Sequence, residues 1–174
     1  MTYVTFGGVT IGICILVGAF IQWWPGFKSL KSDPLGQAGG LLPFLIAWTY
    51  GVLVTLGVGG IIGWIADTAL WITNWLGDAA LVWGVGGQAG QRSSGAAYLP
   101  LTQGGGGIVL ILTVAIIVTI KKSAKYGRGL KMGAWCGICL GTSAGVAGLA
   151  AVPIAQAVNW LGDQVYGAAY GALA

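Results

Sequence analysis

The sequence has no histidine, no glutamate and only four aspartates, and just 7% of its 174 residues are charged. An ordinary soluble domain carries about 25% charged residues. So few charges do not keep a folded surface of this size wetted, which excludes a soluble enzyme of the usual kind. Without His and Glu, the usual general bases and the usual zinc and iron ligand sets are missing. Any carboxylate proton carrier must be Asp33, Asp67, Asp78 or Asp163. Disorder is excluded by the opposite test. It requires low hydrophobicity, and 56% of these residues are hydrophobic. Glycine occupies 33 positions without a G-X-Y period, and proline only five, so the chain is not collagen. The class that remains is the all-α integral membrane protein.

Apolar runs give its plan. The first, Val4 to Trp24, has no charge and is long enough to cross a hydrocarbon core of ~30 Å. It lacks the short apolar core and basic start of a cleaved signal peptide. Trp23 and Trp24 form an aromatic belt, and Pro25-Gly26 predicts a stop. Residues 25–40 read as a loop carrying Lys28, Lys31 and Asp33. Over 41–83 the apolar pattern is continuous. One helix of that length would be roughly 64 Å long, twice the membrane thickness. A span at 41–65 followed by an interfacial amphipathic helix at 67–83 is the better reading. A third span covers Ile108 to Ile120, and a fourth about 132–152. Pro153 predicts a break before a second interfacial helix at 154–170.

The basic residues set the orientation. All Lys and Arg except Arg92 fall in two predicted loops: Lys28 and Lys31 in the first, Lys121, Lys122, Lys125, Arg128 and Lys131 in the second. The positive-inside rule places both loops in the cytoplasm and both termini outside the cytoplasmic membrane. The net charge of +4 thus reflects topology, and no sequence-specific nucleic-acid binding is expected. The same residues offer a surface to anionic lipid headgroups or to a lumen.

The pentapeptide Asn-Trp-Leu-Gly-Asp occurs twice, at 74–78 and 159–163. Gly60 and Gly63 align with Gly145 and Gly148, and Gly7-Gly8-Val9 aligns with Gly106-Gly107-Ile108. The expected architecture is therefore four transmembrane helices in two parallel helix–basic loop–helix repeats, each followed by an interfacial helix. The halves are 1–87 and 108–174. Residues 88–107 read as a polar linker whose run Gly104–Gly107 acts as a hinge. In the repeated motif Asn74, Trp75 and Asp78, with Asn159, Trp160 and Asp163, are expected to anchor and dock a helix, or to ring the mouth of a pore.

Gly8 and Gly12, Gly59 and Gly63, and Gly137, Gly141 and Gly145 recur at GxxxG spacing. Small residues four apart let helix backbones approach closely in lipid. They predict bundle packing and a homo-oligomer. Trp135-Cys136-Gly137-Ile138-Cys139 resembles the WCxxC turn of thioredoxin-like proteins, and four spans with a CxxC resemble membrane thiol oxidoreductases. That resemblance implies a redox role for Cys136 and Cys139, but no βαβ pattern surrounds them. Only Cys14 is left to make a second pair. A duplicated, Gly-rich four-span chain also resembles rotary ATPase ring subunits. Those need a mid-membrane carboxylate, and the four aspartates fall in loops or at interfaces.

In composition the chain is similar to small phage holins and to hydrophobic transfer proteins of conjugative elements. The function expected is non-enzymatic: self-assembly through Gly-rich helices into a membrane oligomer, pore or assembly platform, with no cofactor. The helix–basic loop–helix plan is also similar to conjugative pilins, which implies a subunit packed with lipid into an extracellular filament. An accessory subunit of a larger membrane complex is the remaining expectation.

Overall fold

Peptide groups without water to bond must pair along their own chain, and the described residues do so in six helices. The computed structural model describes residues 3–29, 34–57, 60–92, 100–141, 143 and 146–171. The helices are α1 (Phe6–Ser29), α2 (Pro34–Thr55), α3 (Gly60–Val85), α4 (Gln103–Lys122), α5 (Ala124–Gly141) and α6 (Val146–Gly171). Two stretches, Phe6–Gly26 of α1 and Gln103–Lys122 of α4, are long and apolar enough to cross a membrane. Helices α2 and α3 reach that standard only as a pair, and they meet at 103°.

Several expected boundaries shift. The span at 41–65 is not one helix. Its break falls earlier, where Leu56 and Gly57 donate to the carbonyls of Leu53 and Val54 and wind up α2. Gly60 then opens α3 in the left-handed region, at φ +77°, a conformation that glycine adopts without steric cost. The fourth span divides likewise: α5 ends at Gly141, where the Ser143 amide and hydroxyl both donate to the Leu140 carbonyl. Pro25 and Pro153 do not end helices but lie inside α1 and α6. In a water-poor setting, unwinding exposes more unpaired peptide groups than the one bond a proline removes.

The basic segment 121–131 is helix rather than loop, interrupted at Ser123. The Ser123 amide closes α4 on Thr119, and its carbonyl accepts from Gly127 to start α5. The first basic loop is shorter than expected, because α1 runs to Ser29 and α2 begins at Pro34. Lys31, Asp33, Gly59 and Gly145 lie outside the described residues.

Helices α2 and α5 form the centre. Adding a Cβ to Gly133, Gly137 or Gly141 would meet Phe44, Trp48 and Val52 respectively. The partners advance together, four residues at a time, so the two helices run parallel. Val52, Leu53, Cys136 and Cys139 are fully buried there. Antiparallel α1 flanks α5: Gly12 meets Leu140 and Cys139, while Ala19 packs beside Phe44 and Met132. Antiparallel α4 flanks α2: Val109 packs with Leu53 and Val54, and the Tyr50 and Thr113 hydroxyls share a hydrogen bond of 3.0 Å. The C-terminal ends of α1 and α4 and the N-terminal ends of α2 and α5 therefore share one side of the bundle.

The outer surface is apolar. Large side chains such as Phe20, Ile21, Ile61, Trp64, Trp71, Leu110, Ile111 and Trp83 are exposed. Threonines on these helices turn their hydroxyls back on their own backbone: Thr10 to Phe6, Thr49 to Leu45, Thr68 to Trp64, Thr119 to Ala115. A hydroxyl bonded four residues back has no need of water. Both features suit an exterior bathed in hydrocarbon.

Candidate functional site

The repeated pentapeptide sits at two helix junctions. In the first, α3 crosses the start of α1. Thr5 is the residue before α1, and its hydroxyl accepts from the Gly8 amide at 3.2 Å, an N-cap. Asn74 holds that cap. Its Oδ1 accepts from the Thr5 amide (3.0 Å) and hydroxyl (3.3 Å), and its Nδ2 donates to the Tyr3 carbonyl at 2.9 Å. One turn on, Gly77 lies backbone to backbone against Gly7, and a Cβ on either residue would overlap the other.

The second junction has the same contacts. Thr102 caps α4 by accepting from the Gly105 amide at 3.1 Å. Asn159 accepts from the Thr102 amide (3.0 Å) and hydroxyl (3.4 Å) and donates to the Pro100 carbonyl at 3.2 Å. Gly162 lies against Gly104 as Gly77 does against Gly7. The structural counterpart of Gly7-Gly8 is thus Gly104-Gly105, two residues earlier than the sequence alignment had it. The expected hinge at Gly104–Gly107 is corrected by the same observation. These glycines form the first turn of α4, two of them clamped under α6, because only a residue without Cβ admits so close a helix.

The aspartates differ between the two. Asp163 Oδ1 accepts from the Thr102 hydroxyl at 2.8 Å. Asp78 Oδ2 instead accepts from the Gly90 amide at 3.1 Å, and its Oδ1 is buried without a hydrogen-bond partner among the described residues. That oxygen lies beside Gly7 in the first turn of α1, where the positive end of the helix dipole favours a carboxylate. The chain after α3 also closes over this junction. The Phe6 amide donates to the Gln91 carbonyl, and the Arg92 guanidinium sits 4.2 Å from the centre of the Tyr3 ring. A groove of about 380 Å³ lined by Tyr3, Asp67, Trp71, Asn74 and Asp78 opens beside it.

Within each pentapeptide, Trp and Leu point the other way. Trp75 is 63% exposed and Trp160 64%. The motif therefore docks a helix with Asn and Gly while presenting an aromatic ring outward, as interfacial tryptophans do.

Of the glycines singled out by spacing, Gly8 faces the Asn74 amide, Gly12 faces α5, and Gly137 and Gly141 face α2. Gly63 meets only the Gly57 carbonyl, at ordinary contact distance. Spacing does not point to Gly7, Gly77, Gly104 and Gly162, which make backbone-to-backbone junctions, or to Gly51 on the central pair, whereas Gly133, four residues before Gly137, extends the same stripe and also faces α2. The one available signal was the glycine inside each pentapeptide.

Cys136 and Cys139 are fully buried on α5, and Cys136 Sγ donates to the Gly12 carbonyl at 3.3 Å. Cys14 is exposed on α1, and all three are free thiols. The CxxC pair thus fills the seam between α1, α2 and α5. Changing both cysteines to serine is expected to lower the unfolding midpoint modestly, by the equivalent of about 1–3 kcal/mol for two hydroxyls in an apolar seam, and to leave the size of the extracted particle unchanged. Thermal unfolding in detergent, with sizing of the particle, checks this. A changed particle size without loss of fold would give the thiols more than a packing role.

Among the basic residues, Lys121 and Lys122 end α4, where cations favour the helix dipole. Lys125 and Arg128 line a groove with Trp23 and Gln22 of α1, and Lys131 is exposed further along α5. Lys28 lies in the last turn of α1. No protein-family model, curated protein or solved structure matches this chain.

Proposed function

We propose that the chain is a non-enzymatic integral membrane subunit that assembles with copies of itself into a platform in the cytoplasmic membrane. The observation that carries this is the division of its surface. Threonine hydroxyls on the helices are turned back on their own backbones, and the two repeated asparagines are spent on the junctions. The outward faces are apolar and rich in tryptophan. A surface of that kind recognises lipid and other helices.

The subunit is read as two copies of a three-helix unit, α1–α3 and α4–α6, in parallel orientation. The matching caps, glycine contacts and outward tryptophans support this reading. So does the centre, where Gly51 abuts the Ala134 carbonyl and Gly137 abuts the Trp48 carbonyl. Exchanging the two units swaps those contacts. With α1, α2, α4 and α5 as spans, the gathered basic residues mark the cytoplasmic side and both termini lie outside. Helices α3 and α6 lie towards the outer interface. Because Asn74, Asp78, Asn159 and Asp163 are engaged at the junctions, assembly is assigned to the apolar faces and not to a polar mouth.

A filament subunit packed with lipid is the second reading, favoured by the basic helix ends gathered on one side of an otherwise apolar rod. Native mass spectrometry and negative-stain imaging of the extracted protein separate the two. A closed oligomer of defined copy number is the expected result. An open filament would favour the second reading, and a monomer at all concentrations would end both.

A further inference from the structure

The basic residues are not equivalent, and one pair of them lines a built groove. Between the C-terminal part of α1 and the N-terminal turns of α2 and α5 lies a cavity of about 310 Å³. Its walls are Trp23 and Gln22 from α1, Pro43 and Phe44 from α2, and Lys125 and Arg128 from α5. Among the described residues, neither cation pairs with a carboxylate. Lys125 Nζ lies 5.6 Å from the centre of the Tyr126 ring. Both cations also stand in the first turns of α5, where the helix dipole disfavours positive charge. An anion in the groove would relieve that conflict, and it would sit beside the positive end of α5.

The other side of the central pair supplies an internal comparison. A second groove, about 390 Å³, lies between α2, α4 and α5 and is lined by Gly39, Leu42, Ile46, Ile116, Thr119 and Leu130, among others. Under the exchange that swaps Gly51 with Gly137 and Trp48 with Ala134, Gly39 takes the place of Lys125. Leu42 takes that of Arg128, and Ile46 that of Met132. The two grooves match in position and differ in charge. One is a mostly apolar slot with no charged residue among its lining, and its counterpart carries two cations at the mouth of an apolar wall.

We propose that the groove between α1 and α5 binds one anionic phospholipid, with its headgroup phosphate held by Lys125 and Arg128. The acyl chains lie along the exposed apolar side of α1, which includes Leu16, Val17 and Phe20. Gln22 is at hand for the glycerol and headgroup oxygens, and the Trp23 ring walls the groove beside it. The counterpart groove takes an acyl chain from any lipid and does not select charge. The proposal rests on the membrane embedding argued above and not on self-assembly.

The test is native mass spectrometry of the detergent-extracted full chain, titrated with phosphatidylglycerol or with phosphatidylcholine of the same chains. One phosphatidylglycerol per chain is expected to bind in preference, with about a five-fold loss per cation removed. Lys125→Gln with Arg128→Gln should reduce retention to the phosphatidylcholine level. Both residues are exposed, so the fold should persist. A second variant gains function. Gly39→Lys with Leu42→Arg places the same pair in the counterpart groove, and a Cβ on Gly39 meets nothing within 4 Å. That variant should bind a second phosphatidylglycerol. Equal retention of the two lipids by the unmodified chain would overturn the proposal, as would an undiminished preference in the Gln variant. Displacement of the lipid by soluble glycerol phosphate would reduce the groove to a simple anion site and overturn the lipid assignment. A monomer that keeps its phosphatidylglycerol would sustain this inference while ending the assembly reading. An oligomer without lipid preference would do the reverse.

Discussion

Gly77→Leu and Gly162→Leu are each expected to disrupt the helix junction they occupy, with the largest loss of stability of any substitution considered. At each position a side chain would enter the backbone of the facing glycine, Gly7 or Gly104. Ordinary overpacking costs about 1–3 kcal/mol because neighbouring side chains can rearrange. Here the obstacle is main chain, so relief requires the two helices to separate. Separation also withdraws Asn74 from Thr5, or Asn159 from Thr102. A total of about 4 kcal/mol or more per junction follows from adding the overpacking cost to that of the orphaned polar groups. Thermal unfolding in detergent, read by tryptophan fluorescence, measures it. The control is Gly106→Leu, on the same helix as Gly104 but with nothing within 4 Å of the position a Cβ would take. That variant should unfold close to the unmodified chain. Equal effects at positions 162 and 106 would mean that α4 and α6 do not meet as described.

Asn74→Ala is the second large effect, and it should exceed Asn159→Ala. The same three hydrogen bonds are lost in each case, those from a threonine amide and its hydroxyl and that to a carbonyl. What differs is access to water. Thr5 is only 3% exposed, whereas Thr102 is exposed and keeps its bond to Asp163. A buried polar group left unsatisfied costs about 1–3 kcal/mol, and a solvated one much less. About 2–4 kcal/mol is expected at position 74, and roughly 1 kcal/mol at 159. Chemical denaturation of the two single variants and the double variant gives the order directly. Reversal of that order would mean that the Tyr3–Thr5 segment is open to solvent.

Much of the architecture is legible from composition and from one motif. Scarce charge, long apolar runs and paired basic clusters identify an all-helical chain with segments able to cross a membrane. The duplicated pentapeptide marks both helix junctions. Its Asn, Trp and Asp are legible as candidates for anchoring and docking, whereas the Gly between them, which makes the closest contact, is not singled out by spacing. The partners were not recognisable. GxxxG spacing reports that one face of a helix is smooth, but says nothing of what lies opposite. Gly63 has the spacing and little contact, while Gly104 and Gly162 stand outside any such pair and touch. Proline was misread because its helix-breaking rule comes from chains in water. The end of α2 was misplaced because Gly57 and Gly60, not the polar residues around Asp67, interrupt the backbone. An apolar pattern continuous across 41–83 hides that change of direction.

The parallel central pair also constrains the order in which the molecule forms. Helices adjacent in sequence can pair as soon as both exist, but α2 and α5 enter from the same side and have α3 and α4 between them in the chain. Neither can complete its buried face until the second half is in place. Before then, the smooth side of α2 around Gly51 has only lipid against it. Formation of the core is thus a late, long-range event, of the kind that slows folding because the chain between must be closed before the contacts form. A first half synthesised alone would carry an unmatched helix face suited to α5 of any copy nearby. The surface that joins the two halves of one chain would then serve equally to exchange halves between chains.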